Sequence, residues 1–149
     1  MKFHETHFED YANAVKRVSL HPALTKLYKT FPKAIGSLQN LIFYGPKGVG
    51  KYSQVLSYIQ RYSNSDLKYE KRLMVTYEKD SFFLKISDVH FEVDMSLLGC
   101  NSKSIWNEIY NQIIEVVSSR PDPHAFIVCK YFNRIHIELL DTFYSYMQS

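Results

Sequence analysis

Apolar positions along the chain follow two different periods. Helical spacing predicts helices over Phe8–Val18, Pro22–Tyr28, Lys51–Tyr62, Ser104–Val117 and from Ile135 to the end. Short apolar or alternating runs predict strands at Leu41–Tyr44, Leu73–Tyr77, Phe82–Ile86, His90–Asp94 and Ala125–Cys129. The polar residues Glu78 to Ser81 predict a hairpin turn between the second and third of these strands. Because helices and strands alternate, we expect an α/β fold with a mostly parallel sheet.

Composition narrows the class of protein. The 149 residues suit one domain, and 46% apolar and 22% charged residues exclude a disordered chain. The net charge of +3 is compatible with a nucleic-acid partner without requiring one. No apolar run approaches the roughly 18 residues of a membrane helix, so we expect no membrane partner. Two cysteines, Cys100 and Cys129, predict no disulfide framework and favour a reducing, intracellular location.

The segment from Gly45 to Lys51 fits the G-x-x-x-x-G-K pattern of a phosphate-binding loop. Glycines let consecutive backbone N–H groups turn towards a phosphate, and the helix that follows adds its positive N-terminal end. Lys51 would reach the β- and γ-phosphates. The alternative is a glycine turn that joins strand to helix without a ligand. The predicted nucleotide-binding residues are Gly45, Pro46, Lys47, Gly48, Val49, Gly50, Lys51, Tyr52 and Ser53.

The residues that would hold Mg²⁺ are replaced. A phosphate loop normally has Ser or Thr after its lysine, whereas this chain has Tyr52. Ser53 comes one residue later, about 100° around the helix, and should miss the same metal position. The later strand Phe126–Cys129 should end in a metal-binding acid, but Lys130 and Tyr131 follow it. We therefore expect a degenerate Walker B segment, a doubtful Mg²⁺ site, no other metal site and no assigned catalytic residue.

Two alternatives bear on that loss. The strand Phe91–Asp94 contains acidic residues. If this strand, rather than Phe126–Cys129, is the Walker B strand, a metal position is restored and the chain is an active NTPase or kinase. Alternatively, the ammonium group of Lys130 would approach the phosphates and partly replace the metal charge. Whether the chain is an enzyme therefore stays open.

The order of these motifs resembles the AAA+ module of replication factor C, the sliding-clamp loader, and in particular one small subunit with a degenerate ATP site. The resemblance begins with Leu41–Lys51 and continues in His90–Gly99, which is similar to the family's "HLEVNPSDAG" segment. Ser104–Val117 and Phe126–Met147 are similar to the next helix and to the Walker B strand with its helix. The tyrosine-rich loop segment also resembles clamp-loader-like genes of large DNA viruses.

The resemblance implies a three-layer αβα P-loop sandwich with a β-hairpin insertion, ATP as ligand, and a role in DNA replication. It implies other clamp-loader subunits, a sliding clamp and the DNA backbone as partners, in the nucleus or a viral replication compartment. The resemblance also implies that the N-terminal ends of two helices contact DNA phosphates without regard to base sequence. The DNA-binding candidates are Asn101, Ser102, Lys103 and Arg134. Ordinary helix capping and solvated charge are the alternative for each.

The chain also departs from the family. The N-terminal "WxEKYRP" signature is absent, and we expect residues 1–20 to form an N-terminal extension of a single partial AAA+ domain spanning 1–149. The sequence ends before the sensor strand, the arginine finger, the lid and the collar, so trans-acting catalysis and ring assembly are not implied. A nucleotide-independent interaction module derived from a P-loop domain is therefore a second interpretation.

Overall fold

A computed structural model describes residues 7–17, 21–45 and 50–148, and the chain divides into two compact units. The first unit comprises Met1–Glu70 together with Ser87–Val89, and the second comprises Lys71–Ile86 and His90–Ser149. The first unit contains the glycine loop, and the second contains the sheet.

In its described part, the first unit is built from helices. Its helices are α1 (Phe8–Arg17), α2 (Pro22–Tyr28) and α3 (Lys51–Gln60), with a 3₁₀ turn at Ile35–Ser37. All three helices lie where the apolar spacing predicts them. Pro22 begins α2, where its fixed φ and missing N–H carry no penalty. The buried apolar side chains of this unit include Phe8, Ala12, Tyr28, Leu56, Tyr58, Ile59 and Leu67.

The prediction of a strand at Leu41–Tyr44 is wrong. These residues have no regular secondary structure, and none of the described strands pairs with them. Leu41, Ile42 and Tyr44 are exposed, the last of them at 90%. An apolar run forms a strand only where a neighbouring strand takes its backbone hydrogen bonds, and the described part of the first unit offers none.

The second unit is a four-stranded sheet with two helices. Its strands are β1 (Lys71–Tyr77), β2 (Asp80–Ile86), β3 (His90–Asp94) and β4 (Phe126–Lys130), and its helices are α4 (Ser102–Ser118) and α5 (Ile137–Gln148). The strand order is β1-β2-β3-β4. The predicted hairpin is confirmed, since β1 and β2 pair antiparallel around a two-residue turn, Glu78-Lys79.

The α/β class is confirmed, but the expectation of a mostly parallel sheet is wrong. Only β3 and β4 are parallel, whereas β1–β2 and β2–β3 are antiparallel. The reason is the length of the connections. Three residues, Ser87–Val89, link β2 to β3, which is too short for a crossover, whereas the segment between β3 and β4 contains all of α4.

Helix α4 forms the centre of the second unit's core. Ile105, Ile109, Ile113 and Val117, the predicted apolar stripe, are all buried. They pack with sheet residues such as Phe91 in one apolar cluster. Trp106 Nε1 donates a hydrogen bond of 3.2 Å to the Tyr146 hydroxyl, which joins α4 to α5.

Candidate functional site

The two ends of the glycine loop are defined by Gly45 and by Gly50. Gly50 precedes the first residue of α3 and has φ +82° and ψ 28°, a left-handed conformation that strains any residue with a Cβ. Pro46, Lys47, Gly48 and Val49, the predicted centre of the loop, lie outside the described residues. The described residues therefore confirm a helix that begins directly after the last glycine.

Lys51 reaches back across this loop. Its Nζ atom donates a hydrogen bond of 2.6 Å to the backbone carbonyl oxygen of Gly45. The first turn of α3 contains no acidic residue, and Gly50 has no side chain to cap it. The N-terminus of α3, which follows Gly50, and the Lys51 ammonium group, which contacts Gly45, both contribute positive charge beside the glycine loop.

A small cavity of about 160 Å³ lies beside Lys51. Its described lining consists of His21, Leu24, Phe43, Tyr44, Lys51 and Gln54. The cavity is smaller than the roughly 300–1,000 Å³ typical of pockets for drug-sized ligands. It suits one ring or one phosphate group rather than a whole nucleotide.

An aromatic cluster supports one wall of this cavity. The Tyr28 hydroxyl lies 3.4 Å from Oε1 of the buried Gln54, and the Tyr28 ring is within 6.5 Å of Phe43 and 5.2 Å of Tyr58, measured between centroids. Burial raises the pKa of Tyr58 to about 12, with further contributions from the hydroxyls of Tyr62 and Tyr28. Burial also raises the pKa of Tyr28, opposed by the nearby Arg61. The phenols therefore stay neutral at physiological pH.

Gln54, His21, Phe43 and Tyr44 were not among the residues predicted for this site. Gln54 had a usable signal, because it lies three residues after Lys51 on the same helix and shares its face. Phe43 and Tyr44 directly precede Gly45 in the sequence, which is also a usable signal. His21 and Leu24 are brought in by tertiary contact, for which spacing along the chain gives no signal.

Tyr52 and Ser53, both predicted to bind nucleotide, lie in the first turn of α3 and are half-buried. Neither belongs to the described lining of the cavity. The Tyr52 ring packs edge-on against Tyr11 of α1, with centroids 4.8 Å apart. The large side chain at the expected metal-ligand position therefore contributes to the packing between α1 and α3.

In the second unit, the predicted Walker B segment lies at the carboxyl end of β4. Lys130 is the last residue of this strand, and its Nζ atom lies 5.8 Å from the ring centroid of Tyr131, which has φ +57°. Asp94 is the register partner of Lys130 on the parallel strand β3. The sequence pattern of a phosphate-loop ATPase places an acidic residue at the end of β4. The structure has Lys130 there, and the acidic residue, Asp94, lies beside it on the neighbouring strand β3. The Asp94 carboxylate accepts hydrogen bonds from the backbone N–H and the hydroxyl of Ser96.

The DNA-binding candidates follow the carboxyl ends of the same two strands. Asn101 precedes α4 and makes no side-chain cap, while Lys103 is exposed in the first turn of that helix. Arg134 is exposed at the end of a 3₁₀ turn, Phe132–Arg134, which contacts the 3₁₀ turn Met95–Leu97 after β3. Because β3 and β4 are parallel, both segments begin at the same sheet edge.

Ser102 differs from its neighbours in burial. Its side chain is 2% exposed, and its hydroxyl has no hydrogen-bond partner among the described residues. A buried hydroxyl without a partner costs about 1–3 kcal/mol. Ser102 is therefore a weaker candidate than Lys103 for direct contact with an exposed phosphate, because solvent does not reach its oxygen.

Among residues 7–17, 21–45 and 50–148, no three His, Cys, Asp or Glu side chains are grouped closely enough to hold a metal ion. Within the same part of the chain, every helix is too short or too polar to cross a membrane. The chain matches no protein-family model and no curated protein.

Proposed function

We propose that the chain is a clamp-loader-small-subunit-like AAA+ protein of DNA replication, with a P-loop sandwich fold. In this role it binds ATP and the DNA backbone within a multi-subunit complex that loads a sliding clamp, and its hydrolysis is degenerate. The proposal rests on the ordered resemblance of four segments and on the hydrogen bond between Lys51 and Gly45, the residues at the two ends of the motif. It extends to a nuclear or viral replication compartment as the place of action.

The observation that carries the nucleotide part is the contact between Lys51 and Gly45. Their 2.6 Å hydrogen bond keeps a cation at the mouth of the loop, directly before an uncapped helix N-terminus. A triphosphate would compete with the Gly45 carbonyl for the ammonium group, since phosphate oxygens are anionic whereas the carbonyl oxygen is neutral. The cavity lined by Phe43 and Gln54 lies next to this cation.

Equilibrium binding of fluorescently labelled ATP tests this part. We expect Lys51→Ala to weaken the affinity by at least tenfold, because the cation that contacts Gly45 is lost. Lys68→Ala removes an exposed positive charge of the same unit and is the control for the change in net charge. We expect Mg²⁺ to change the affinity of the unaltered protein little, because Tyr52 stands at the metal-ligand position.

Equal affinities for the Lys51→Ala and Lys68→Ala variants would show that the loop does not bind the triphosphate. A wild-type affinity that rises strongly with Mg²⁺ would show that a metal position survives.

A nucleotide-independent interaction module is the second candidate. The observation that favours it is the exposed segment containing Leu41, Ile42 and Tyr44, which leaves apolar surface next to the glycine loop. Complete absence of ATP binding in the presence and absence of Mg²⁺ would favour this candidate over the first.

A further inference from the structure

Charge is distributed unevenly along the chain. Residues 11–65 contain eight lysines and arginines and no aspartate or glutamate, although the whole chain has 15 acidic residues. The eight cations are Lys16, Arg17, Lys26, Lys29, Lys33, Lys47, Lys51 and Arg61. This stretch belongs to the first unit. Strong charge asymmetry between parts of a chain is typical of proteins that bind a nucleic acid or an anionic membrane.

Three of these cations lie on α2 and directly after it. Lys26, Lys29 and Lys33 are exposed, and Lys26 and Lys29 lie three residues apart at the end of the helix, on the same side of it. Their ammonium groups form no ion pair and no hydrogen bond with any residue in the ranges 7–17, 21–45 and 50–148. The positive charge of this surface is therefore uncompensated within the described chain, and an anionic partner would neutralise it.

Exposed apolar side chains adjoin the lysines. Leu27, which lies between Lys26 and Lys29 in the sequence, is 48% exposed, and Ile42 is 65% exposed. The segment that contains Ile42 packs against α2, because the ring centroid of Phe43 lies 6.5 Å from that of Tyr28. Positive charge and exposed aliphatic surface thus occur together on adjoining elements of the first unit.

We propose that the surface formed by Lys26, Leu27, Lys29, Lys33 and Ile42, which we call the α2 surface, binds an anionic lipid membrane. The ammonium groups contact phospholipid headgroups, and the two aliphatic side chains enter the boundary between headgroups and acyl chains. These side chains favour a membrane over a nucleic acid, because nucleic acids are bound by cations and by flat aromatic rings on which bases stack.

The contact is confined to the membrane surface. The lack of a long apolar run in the sequence predicts that the chain does not span a membrane, but a peripheral contact needs no spanning helix. The inference does not rest on the proposed nucleotide or clamp-loader role.

Co-sedimentation with lipid vesicles tests the proposal. Vesicles of about 30% phosphatidylserine in phosphatidylcholine should bind the protein about a hundredfold more tightly than pure phosphatidylcholine vesicles, since each lysine near an anionic surface contributes about fivefold. Binding should weaken as the salt concentration rises, because salt screens the surface potential.

A triple lysine variant tests the charges. Lys26→Gln combined with Lys29→Gln and Lys33→Gln should remove most of the hundredfold preference for phosphatidylserine. The matched control combines Lys68→Gln, Lys71→Gln and Lys79→Gln, which changes the net charge equally. Each control lysine is exposed and has an acidic residue within two positions along the chain, so this variant should lose much less binding.

Ile42→Ser tests the apolar contact. It should weaken binding to the phosphatidylserine vesicles about fivefold, because an aliphatic side chain no longer leaves water. The dependence on salt should stay the same. Ile137→Ser makes the same change at an exposed position of α5 and is the control, which should bind as the unaltered protein does.

Absence of binding to the phosphatidylserine vesicles would overturn the proposal. Equal losses in the two triple lysine variants would show that net charge, and not the α2 surface, attracts the protein to lipid. Binding of a labelled oligonucleotide that the first triple variant abolishes, together with unchanged vesicle binding by Ile42→Ser, would assign the lysines to a nucleic acid instead.

Discussion

The ring of Tyr52 lies edge-on to the ring of Tyr11, with an interplanar angle of 74° and centroids 4.8 Å apart. This contact joins α3 to α1 at the position where a phosphate loop normally has a small hydroxyl residue. The tyrosine at this position thus provides an interhelical contact. In the proposed nucleotide site the same side chain would stand where a magnesium ligand is expected.

We predict that Tyr52→Thr makes ATP binding dependent on Mg²⁺. The threonine hydroxyl would stand directly after Lys51, where it reaches a metal held between the phosphates. The substitution should also cost roughly 0.5–1.5 kcal/mol of unfolding free energy, because the aromatic pair with Tyr11 is lost. Calorimetric titration with ATP, in Mg²⁺ and in EDTA, measures the first effect, and urea unfolding measures the second.

Tyr52→Phe keeps the ring and supplies no metal ligand, so it should behave like the unaltered protein in both buffers. If Tyr52→Thr binds ATP equally well in Mg²⁺ and in EDTA, the position does not face the metal.

Charge reversal at the two helix starts should weaken duplex DNA binding. Lys103→Glu combined with Arg134→Glu removes the two proposed phosphate contacts at one sheet edge, so the salt slope should fall by about 1.8. Anisotropy titrations of a labelled primer–template over a range of salt concentrations give this slope. Reversal of the exposed Lys29 and Lys68 in the first unit changes the net charge equally and should affect the slope much less. Equal slopes for the two double variants would remove Lys103 and Arg134 from the interface.

Local periodicity predicted the helices and the hairpin correctly, since each depends on residues close in sequence. The stripe Ile105, Ile109, Ile113 and Val117 is one such case, because burial at every fourth residue is a property of one helix. The turn residues Glu78 and Lys79 are another, because a hairpin needs only a polar turn between two alternating runs.

Pairing and tertiary contact could not be predicted in the same way. Leu41–Tyr44 has the composition of a strand, but a strand depends on a neighbour that its own sequence does not specify. The cavity beside Lys51 was missed for a similar reason, since His21 and Leu24 reach it from a segment more than twenty residues earlier in the chain. The replacement of the metal ligand by Tyr52 was visible in sequence, whereas its contact with Tyr11 was not.

Glu78 at the hairpin turn gives a prediction about stability. Of the two turn residues, Glu78 but not Lys79 has a positive φ, +54°. This pattern matches turns in which glycine is preferred at the first central position. Because a residue with a Cβ pays roughly 1–2 kcal/mol in this conformation, Glu78→Gly should raise the unfolding free energy by about 1 kcal/mol. Urea unfolding followed by far-ultraviolet circular dichroism measures the change.

Lys79→Gly is the control for this substitution. Its φ is not positive, so glycine there brings no relief and only increases the freedom of the unfolded chain. We expect this variant to be less stable than the unaltered protein. A stabilising effect of Lys79→Gly equal to that of Glu78→Gly would mean that the strain at Glu78 is not the cause.

The thiol of Cys129 should be nearly inert in the folded protein. Cys129 lies on β4 and packs against the core of the second unit, and burial raises its pKa from 9.0 to about 12. At pH 8 this shift leaves about a thousandfold less thiolate, which is the form that reacts with iodoacetamide. In a Cys100→Ser background, alkylation of the native protein should therefore be far slower than alkylation in urea.

The same shift determines a pH dependence of stability. The folded state holds the thiol proton more tightly than the unfolded state, so the contribution is complete below about pH 9 and is lost as the pH rises towards 12. Cys129→Ser removes this contribution, so the difference in unfolding free energy between the two proteins should shrink over that interval. Tyr58, whose pKa is also raised to about 12, titrates in both proteins and cancels in the comparison. Native alkylation at pH 8 as fast as in urea would show that Cys129 is not shielded by the core.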